Sequence, residues 1–426
     1  MQQTNSKAQN STFAKKVCFR FFFSFFVFEY FFHYGLYVLI SGGNRSVRTW
    51  FNRIYNPIYD YINNHILHLK QGETNLTINN YIFQLMAITI AIVATILWSV
   101  VDKKRKSYEQ ADFWLRHTLK YLLAIFIFSY GILKLFPVQM LAPDLNALNT
   151  PLGQLPISML MVYFMGSSSF YESFTGLVEV TAALLLVFPK TYVMGLMVLT
   201  GILINILMLN IGYDFFGMTH KVIAMFLAPC VYLLYPYLKS IIDFLFNKQE
   251  VALYKPTNPI ASKFYKPISI LSAIIFFVLA LVCTTQALND YKEVVKSRQN
   301  TKTFNVVSQT FNGDTLKMLL GDQTRWKYWI EYERGGKNYV SVLTMNDTIS
   351  YNLLFQNNTI HKIIQLKPDG QSKDTSQYTF SYLIDREKGE KTLTDSLHKM
   401  SLVIKGFGKE HWELLKLRNK FFPFDF

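Results

Sequence analysis

Long apolar segments alternate with short polar ones from the amino terminus to about residue 288. Each apolar segment has about twenty residues, the length that a helix needs to cross a hydrocarbon core about 30 Å thick. The pattern therefore predicts seven transmembrane helices. They lie at about Val17–Ile40, Tyr81–Val101, Leu119–Met140, Tyr171–Pro189, Tyr192–Ile211, Lys221–Leu238 and Pro267–Leu288.

A shorter apolar stretch, Ile157–Phe164, lies between the third and fourth predicted helices. It is too short to span a bilayer, and it is followed by Gly166 and three serines. This pattern is typical of a re-entrant or interfacial half-helix.

Basic residues between the apolar segments set the predicted orientation. Four consecutive basic residues, Lys103–Lys106, follow the second segment, and the loop Lys239–Lys266 contains five lysines. Since Lys and Arg accumulate in cytoplasmic loops, the sequence predicts a bacterial inner-membrane protein. Its amino terminus lies in the cytoplasm and its carboxyl terminus in the periplasm. The four basic residues of the loop Ser41–Asn80 do not follow this rule.

The fourth segment carries Glu179 near its middle. At 1.5 Å per residue, its carboxylate lies about 12 Å or more from either end of the segment. An ionised side chain at that depth costs at least about 2.5 kcal/mol and needs a partner or a proton. Glu172 and Thr175 share the helix face of Glu179, so this face is predicted to line a helix bundle or a wet cavity.

Other polar residues lie in the outer halves of neighbouring segments. With Glu179 as the candidate catalytic residue, the candidate ligand-binding residues are Lys134, Glu172, Asn205, Asn210, His220, Lys221, Glu29 and His33. Those of the four central segments predict an outward-open polar pocket in a four-helix bundle. The alternative is that they anchor helix rims and form interhelical hydrogen bonds, each worth about 0.6 kcal/mol.

The first segment has polar residues of its own. Glu29 and His33 are four residues apart and share one helix face. Arg20 lies near the inner end, where a long side chain is expected to reach the membrane surface.

From Asn289 onward no spanning segment remains. Along Trp326–Glu333, alternate positions are aromatic or aliphatic, and three of the four positions between them are charged. Gly335-Gly336 follows as a turn, which predicts a hairpin. Further strands are predicted at Tyr339–Leu343, Ser350–Phe355, Thr359–Leu366, Tyr378–Ile384 and Ser401–Ile404. These predict a mostly antiparallel β domain outside the membrane, long enough for a core of its own.

Composition argues against several classes of function. The formal net charge of +15 comes largely from loops, so topology and anionic lipid explain it better than nucleic acid does. Cys18, Cys230 and Cys283 have no C-x-x-C spacing, so no disulfide framework or thiolate metal site is predicted. The chain has no nucleotide-binding or H-E-x-x-H motif, and no metal site is predicted.

Two short motifs resemble the DoxX-like family of membrane proteins. Arg116 with Tyr130–Leu135 is similar to the family's first span, an arginine followed by a G-x-x-K-L-type end. Gly176–Glu179, followed by Ala182–Val187, resembles its second span with an intramembrane glutamate. The resemblance covers about Phe113–Phe246 and extends more distantly to the HTTM group, which includes the membrane domain of the vitamin-K-dependent carboxylase. It implies a four-helix membrane unit, in a family named for a subunit of thiosulfate:quinone oxidoreductase.

These observations predict a mainly α-helical polytopic membrane protein with about seven transmembrane helices, a DoxX-like four-helix bundle and a C-terminal antiparallel β domain. The predicted parts are a cytoplasmic tail (1–16), two leading helices with an outer loop (17–101), the four-helix core (113–246), the seventh helix (267–288) and the periplasmic domain (289–426).

The functional hypothesis is a membrane subunit of a quinone-linked redox complex. Glu179 would carry a proton or hydrogen-bond a quinone, which is the cofactor that this hypothesis requires. The alternative is a non-catalytic scaffold or envelope-assembly factor, whose β domain binds a protein or lipid partner. A transporter ranks third because only one discontinuous segment is predicted.

Overall fold

The computed structural model describes residues 13–33, 53, 56–58, 60–68, 75–140, 142–143, 147–148, 150–215, 219–246, 262–334, 336–346, 350–368 and 377–407. The chain divides into two compact units. Unit 1 comprises Met1–Ser129 and Glu179–Leu281, and unit 2 comprises Tyr130–Val178 and Val282–Phe426.

Helices make up most of the described chain before the β domain. In order they are α1 Phe13–Val27, α2 Asn75–Val101, α3 Glu109–Leu135, α4 Ile157–Gly166, α5 Ser169–Val187, α6 Tyr192–Gly212, α7 Thr219–Leu234, α8 Leu238–Phe246 and α9 Ser262–Asn300. Short π-helical turns follow at Phe28–His33 and Asn63–Leu67, and 3-10 turns at Leu152–Gln154 and Tyr235–Tyr237.

Six of the described helical segments are long and apolar enough to cross a membrane. They are Gln84–Val101, Glu109–Leu135, Ser169–Val187, Tyr192–Gly212, Met225–Phe246 and Phe264–Ser297. They coincide with the second to seventh predicted spans, whose helical and apolar character is thereby confirmed. The first predicted span is represented by α1 and the π-helical turn after it, and its residues 34–40 lie outside the described part of the chain.

The short apolar stretch before α5 is helical, as predicted. The helix α4 has ten residues, too few to cross a hydrocarbon core. Pro156 precedes its first residue, and Ser167 donates a side-chain hydrogen bond to the Tyr163 carbonyl at its end. The sequence therefore fixes both ends of this helix.

In unit 1, Arg20 of α1 is buried rather than exposed at the membrane surface. Its guanidinium donates to the Tyr108 hydroxyl at 2.9 Å, to Ser99 Oγ at 2.7 Å and to the Asp102 carbonyl at 3.0 Å. Tyr108 in turn donates to the Asp102 carboxylate at 2.8 Å. The expectation that Arg20 reaches the membrane surface is wrong, because α2 and the turn after it satisfy its donors within the protein.

In unit 2, the ends of α3 and α5 touch backbone to backbone at Gly176. A Cβ added there would meet the Leu135 nitrogen, and it would lie 2.5 Å from the Gly131 carbonyl oxygen. Only glycine permits this approach, since real Cβ atoms need more than 3 Å. The glycine in Gly176–Glu179 thus has a packing role that its position in an apolar run does not reveal.

The helix α9 continues through Asn300, beyond the position 289 at which the sequence places the domain boundary. The strands follow directly: β1 Lys302–Phe311, β2 Asp314–Thr315, β3 Trp326–Arg334, β4 Lys337–Thr344, β5 Ser350–Asn358, β6 Ile363–Pro368, β7 Tyr378–Asp385, β8 Glu390–Asp395 and β9 Met400–Gly406. The predicted antiparallel β domain is confirmed.

The strands form a closed meander. From β3 to β9 each strand pairs antiparallel with the next, and β1 pairs with both β3 and β9, which closes an eight-stranded barrel. The two-residue strand β2 pairs with the end of β1. Closure leaves no free edge between β9 and β1 and so removes a site for edge-to-edge aggregation.

The barrel interior is packed with side chains. Trp329, Phe380, Leu353, Leu393 and Leu402 are fully buried within it, together with Val306, Trp326, Val340, Val342, Ile364, Leu366, Tyr382, Met400 and Ile404. An eight-stranded barrel has just enough interior for side chains to fill. The alternation of inward and outward residues follows from the two-residue period of a strand.

Candidate functional site

Glu179 lies in the middle of α5 and is 4% exposed. Neighbouring residues of α5, Ala182 and Ala183, are fully buried, whereas Leu177 on another face is half exposed. The helix therefore turns its small residues and its carboxylate inward within unit 1. This burial matches the predicted polar face of the fourth segment.

Glu172 holds the start of α5 against the segment that follows α3. It is fully buried, and its Oε1 accepts the backbone N–H of Met140 at 2.8 Å. Ser173 donates to the Leu135 carbonyl at 2.9 Å, which satisfies a backbone group at the end of α3. A carboxylate in the first turn of a helix is also stabilised by the helix dipole. Glu172 thus has a structural role beside any part in ligand binding.

Lys134 belongs to the same unit as Glu172 and lies in the last turn of α3. It is 7% exposed. A cation near a helix C-terminus is favourable because the last carbonyl groups carry partial negative charge. Burial of both a lysine and a glutamate in unit 2 agrees with the expectation that the outer ends of these helices carry polar groups inside the protein.

Glu29 is fully buried in unit 1, in the π-helical turn after α1. Gln84 of α2 donates its side-chain amide to Glu29 Oε1 at 2.6 Å. The next residue, Tyr30, donates its hydroxyl to the Met225 carbonyl at 3.2 Å. The sequence did not indicate Gln84 as the partner of Glu29. The predicted partner, His33, has its side chain outside the described part of the structure.

The two asparagines of α6 differ in their surroundings. Asn210 is 4% exposed and donates its side-chain amide to the Ile206 carbonyl of its own helix at 2.7 Å. Asn205 is exposed, because the apolar face of α6 that packs inward includes Leu199 and Leu203 instead. The prediction that Asn205 lines a buried pocket does not agree with this exposure. The side chains of His220 and Lys221 lie outside the described part of the structure.

In unit 1, the first turns of α3 carry a charged cluster that the sequence did not predict. Arg116 donates to Asp112 at 2.8 Å and to the Tyr232 carbonyl at 2.9 Å, with its guanidinium over the Tyr232 ring. The Tyr232 hydroxyl donates to the other oxygen of Asp112. The i, i+4 spacing of Asp112 and Arg116 is a signal that could have indicated this pair. No spacing in the sequence links this pair to Tyr232, which lies more than a hundred residues away.

The barrel contains a buried cation. Arg325 is 1% exposed and donates to the carbonyl groups of Trp326 at 2.8 Å and Val306 at 3.1 Å. Gln309 Oε1 accepts the Trp326 N–H at 2.7 Å and an Arg325 bond at 3.4 Å. Burial lowers the pKa of Arg325, but a guanidinium keeps its charge in proteins. Arg325 therefore satisfies carbonyl groups of β1 and of the first residue of β3.

A second buried charge, Asp395, holds the turn between β8 and β9. Its two oxygens accept the N–H groups of Thr379, Leu397 and His398 and the His398 ring at 2.9–3.1 Å. Burial alone raises the pKa of Asp395, but the hydrogen bonds from His398 and Thr379 outweigh it and hold the pKa below its ordinary value. The carboxylate is thus favoured in the folded state.

Asp395 predicts an acid-dependent loss of stability. Its folded pKa is depressed, so its stabilisation is complete above the unfolded pKa of about 3.9 and is lost as the pH falls through the lower folded value. Asp395→Asn should lower the unfolding free energy at pH 7 by about 1–3 kcal/mol and reduce its dependence on pH below 4. Thermal melting of the intact chain in detergent measures both. Asp385→Asn, at an exposed turn, is the matched control, and equal effects of the two variants would contradict the assignment.

Among the described residues, no three His, Cys, Asp or Glu side chains are gathered where they could hold a metal ion. Comparisons with protein-family models, with curated proteins and with solved structures found no match to this chain. The buried acids of α5 are Glu179 in unit 1 and Glu172 in unit 2.

Proposed function

We propose that the chain is an integral inner-membrane protein of the DoxX-like type and serves as a subunit of a quinone-linked redox complex. The observation that carries this proposal is Glu179, a buried carboxyl group in the middle of a helix long and apolar enough to cross a bilayer. Ionisable residues inside such helices usually mark substrate or proton pathways, because they are costly to keep there.

The proposed chemistry uses the two protonation states of Glu179. Reduction of a quinone to its quinol takes two electrons and two protons. The protonated carboxyl group of Glu179 donates a hydrogen bond to a quinone carbonyl oxygen and transfers its proton as that oxygen gains charge. A partner redox subunit supplies the two electrons. Hydrated protons from the periplasmic side supply the second proton, to the other quinone oxygen, and reprotonate the Glu179 carboxylate. The protein contributes position and a proton, while the quinone carries the redox change.

Glu179→Gln tests this role because it keeps the size of the side chain but replaces the carboxyl O–H, a stronger hydrogen-bond donor than an amide N–H, and removes the transferable proton. We expect the variant to fold and to bind a short-chain naphthoquinone at least about tenfold more weakly, a loss of about 1.4 kcal/mol. Quenching of tryptophan fluorescence in mild detergent measures the affinity. Asp112→Asn is the matched control, because it changes an acid that is held by Arg116 and Tyr232 and is not a candidate ligand-binding residue.

The control should reduce thermal stability and leave the affinity of the folded fraction unchanged. If wild-type protein does not bind the quinone, or if both variants bind it equally well, Glu179 has no role in quinone binding. Loss of folded protein with Glu179→Gln alone would assign the residue a structural role instead.

A second candidate function is a scaffold whose β domain binds a protein partner. The observation that favours it is an exposed apolar tip at one end of the barrel. Met318, Leu319 and Leu320 project from the loop after β2, and Leu397 from the turn between β8 and β9, with exposures of 60%, 60%, 88% and 83%. The loop is braced, since Gly321 donates to the Met345 carbonyl and Asn346 to that of Asp322. A protein that co-purifies with the intact chain and is lost on Leu320→Asp would support this candidate.

A further inference from the structure

The helix α7 contains a proline, Pro229, within its length. Proline has no backbone N–H, so the carbonyl group of Met225, four residues earlier, receives no hydrogen bond from position 229. The proline ring also crowds that carbonyl group, which bends a helix at this point. The hydrogen-bond ladder of α7 is therefore interrupted between a first half, residues 219–228, and a second half, residues 230–234.

A side chain from another segment fills this gap. Tyr30 donates its hydroxyl to the Met225 carbonyl at 3.2 Å. Tyr30 is buried and lies in the π-helical turn that follows α1. Met225 begins a segment long and apolar enough to cross a membrane, where little water is available to a free carbonyl group. Tyr30 thus supplies the hydrogen bond that Pro229 cannot make.

Packing fixes the Tyr30 ring in this position. Its centroid lies 6.3 Å from that of Phe26, one turn earlier on the same segment, and 6.4 Å from that of Phe126 in α3. The Phe126 ring in turn lies 5.6 Å from the ring of Phe226, the residue after Met225. The hydroxyl group is therefore held at Met225 by rings of α1, α3 and α7 itself.

The second half of α7 is fastened by different contacts. Tyr232, three residues after Pro229, donates its hydroxyl to Asp112 of α3, and its carbonyl group accepts a bond from Arg116. The Tyr232 ring also packs against Phe26, with 5.6 Å between the ring centroids. The two halves of α7 thus have separate attachments, and α1 with its π-helical turn contributes to each.

We propose that Pro229 is a hinge in α7 and that Tyr30 is the positioning residue that holds this hinge closed. With the hydroxyl group in place, the Met225 carbonyl has a donor, and the two halves of α7 keep one fixed angle. Without it, the first half bends more freely relative to the second. The turn that follows α1 thereby sets the stiffness of α7. This inference does not rest on the function proposed above.

A double-mutant cycle tests whether the hydroxyl group replaces the missing N–H. Tyr30→Phe removes only the hydroxyl, and Pro229→Ala restores a backbone N–H that can bond to the Met225 carbonyl. We expect Tyr30→Phe to lower the melting temperature by about 2–4 °C in the otherwise wild-type chain. In the Pro229→Ala chain we expect roughly a third of that fall or less. Thermal melting of the four intact proteins in detergent measures the cycle.

Tyr121→Phe is the matched control. Tyr121 also donates its hydroxyl to a backbone carbonyl at 3.2 Å, that of Ser269 in α9. The residue four positions after Ser269 is Ala273, which has a backbone N–H. The fall in melting temperature caused by Tyr121→Phe should therefore be the same with and without Pro229→Ala. An equal fall for Tyr30→Phe in the two chains would overturn the proposal.

Hydrogen–deuterium exchange of the intact protein measures the stiffness of α7 and needs no change at Pro229. We expect amides in the first half of α7 to exchange several-fold faster in Tyr30→Phe than in wild type, and at the wild-type rate in Tyr121→Phe. If Pro229→Ala yields no folded protein, this comparison alone decides. Exchange in α7 that Tyr30→Phe leaves unchanged, or that both variants accelerate equally, would contradict the hinge.

Discussion

Gly176→Val is expected to leave little folded protein. The side chain would have to occupy space filled by the backbone of Gly131, Lys134 and Leu135, and its first carbon alone would lie 2.5 Å from the Gly131 oxygen and 2.8 Å from the Lys134 carbonyl carbon. Overpacking usually costs 1–3 kcal/mol when neighbouring side chains can move. Here the obstacles are backbone atoms of α3, so we expect a cost at or above the upper end of that range.

Gly201→Val on α6 is the matched control, since an added Cβ there has nothing within 4 Å. Both proteins are expressed identically, and size-exclusion chromatography in detergent compares the amount of monodisperse protein. We expect the control to match wild type and Gly176→Val to lose most of its peak. Similar yields for the two variants would show that α3 and α5 do not pack through this glycine.

Arg20→Met should cause the second large loss. The substitution removes three hydrogen bonds and leaves Ser99, Tyr108 and the Asp102 carbonyl to find other partners inside the protein. Each buried polar group that loses its partner costs about 1–3 kcal/mol. A total of about 3 kcal/mol lowers the melting temperature by roughly 6–12 °C for a domain of 150–250 residues.

Lys16→Met is the control for Arg20→Met. It lies one turn earlier on α1 and donates a single bond, to the Arg105 carbonyl at 2.9 Å. We expect its melting temperature to stay within a few degrees of wild type, because an exposed hydrogen bond contributes little net stability. If the melting temperature fell no further in Arg20→Met than in Lys16→Met, the buried hydrogen bonds of Arg20 would not be what holds α1 to α2.

The helical part of the fold could be predicted from sequence because spanning a bilayer needs about twenty apolar residues. That single requirement located the segments that became α2, α3, α5, α6 and α9. It gave no information about which residues face each other. Arg20 was misjudged because a long cation near a membrane surface has two solutions, exposure or burial among hydrogen-bond partners, and the partners lie about eighty residues away.

In the barrel, the alternating pattern located the hairpin of β3 and β4 and several later strands. It missed β1, β2 and β8, and it could not show that β1 closes on β9, because long-range pairing leaves no local pattern. The predicted strand start at Thr359 is wrong. Asn358 Oδ1 accepts the N–H groups of Ile360 and His361, and Lys362 has φ of +52°, so these residues form a turn.

The candidate site was predicted in part. Burial of Glu179, Glu172 and Lys134 agrees with the rule that charges in apolar helices turn away from lipid. The hydrogen bonds of Glu172 and Glu29 were not predicted. Their partners, a backbone N–H and a glutamine, are uncharged, so no pattern of opposite charges in the sequence indicates them. Asn205 was misplaced because an asparagine in an apolar helix tolerates exposure more easily than a carboxylate does.

The most direct test of the proposed role of Glu179 is infrared difference spectroscopy of the purified protein with bound naphthoquinone, recorded as the quinone is reduced electrochemically. A carboxyl group that hydrogen-bonds the quinone and gives it a proton changes its C=O stretching band between the two states. We predict such a band in the wild type and in Asp112→Asn, and its absence in Glu179→Gln. Spectra of wild type and Glu179→Gln that are identical in the carboxyl region would contradict the proposal.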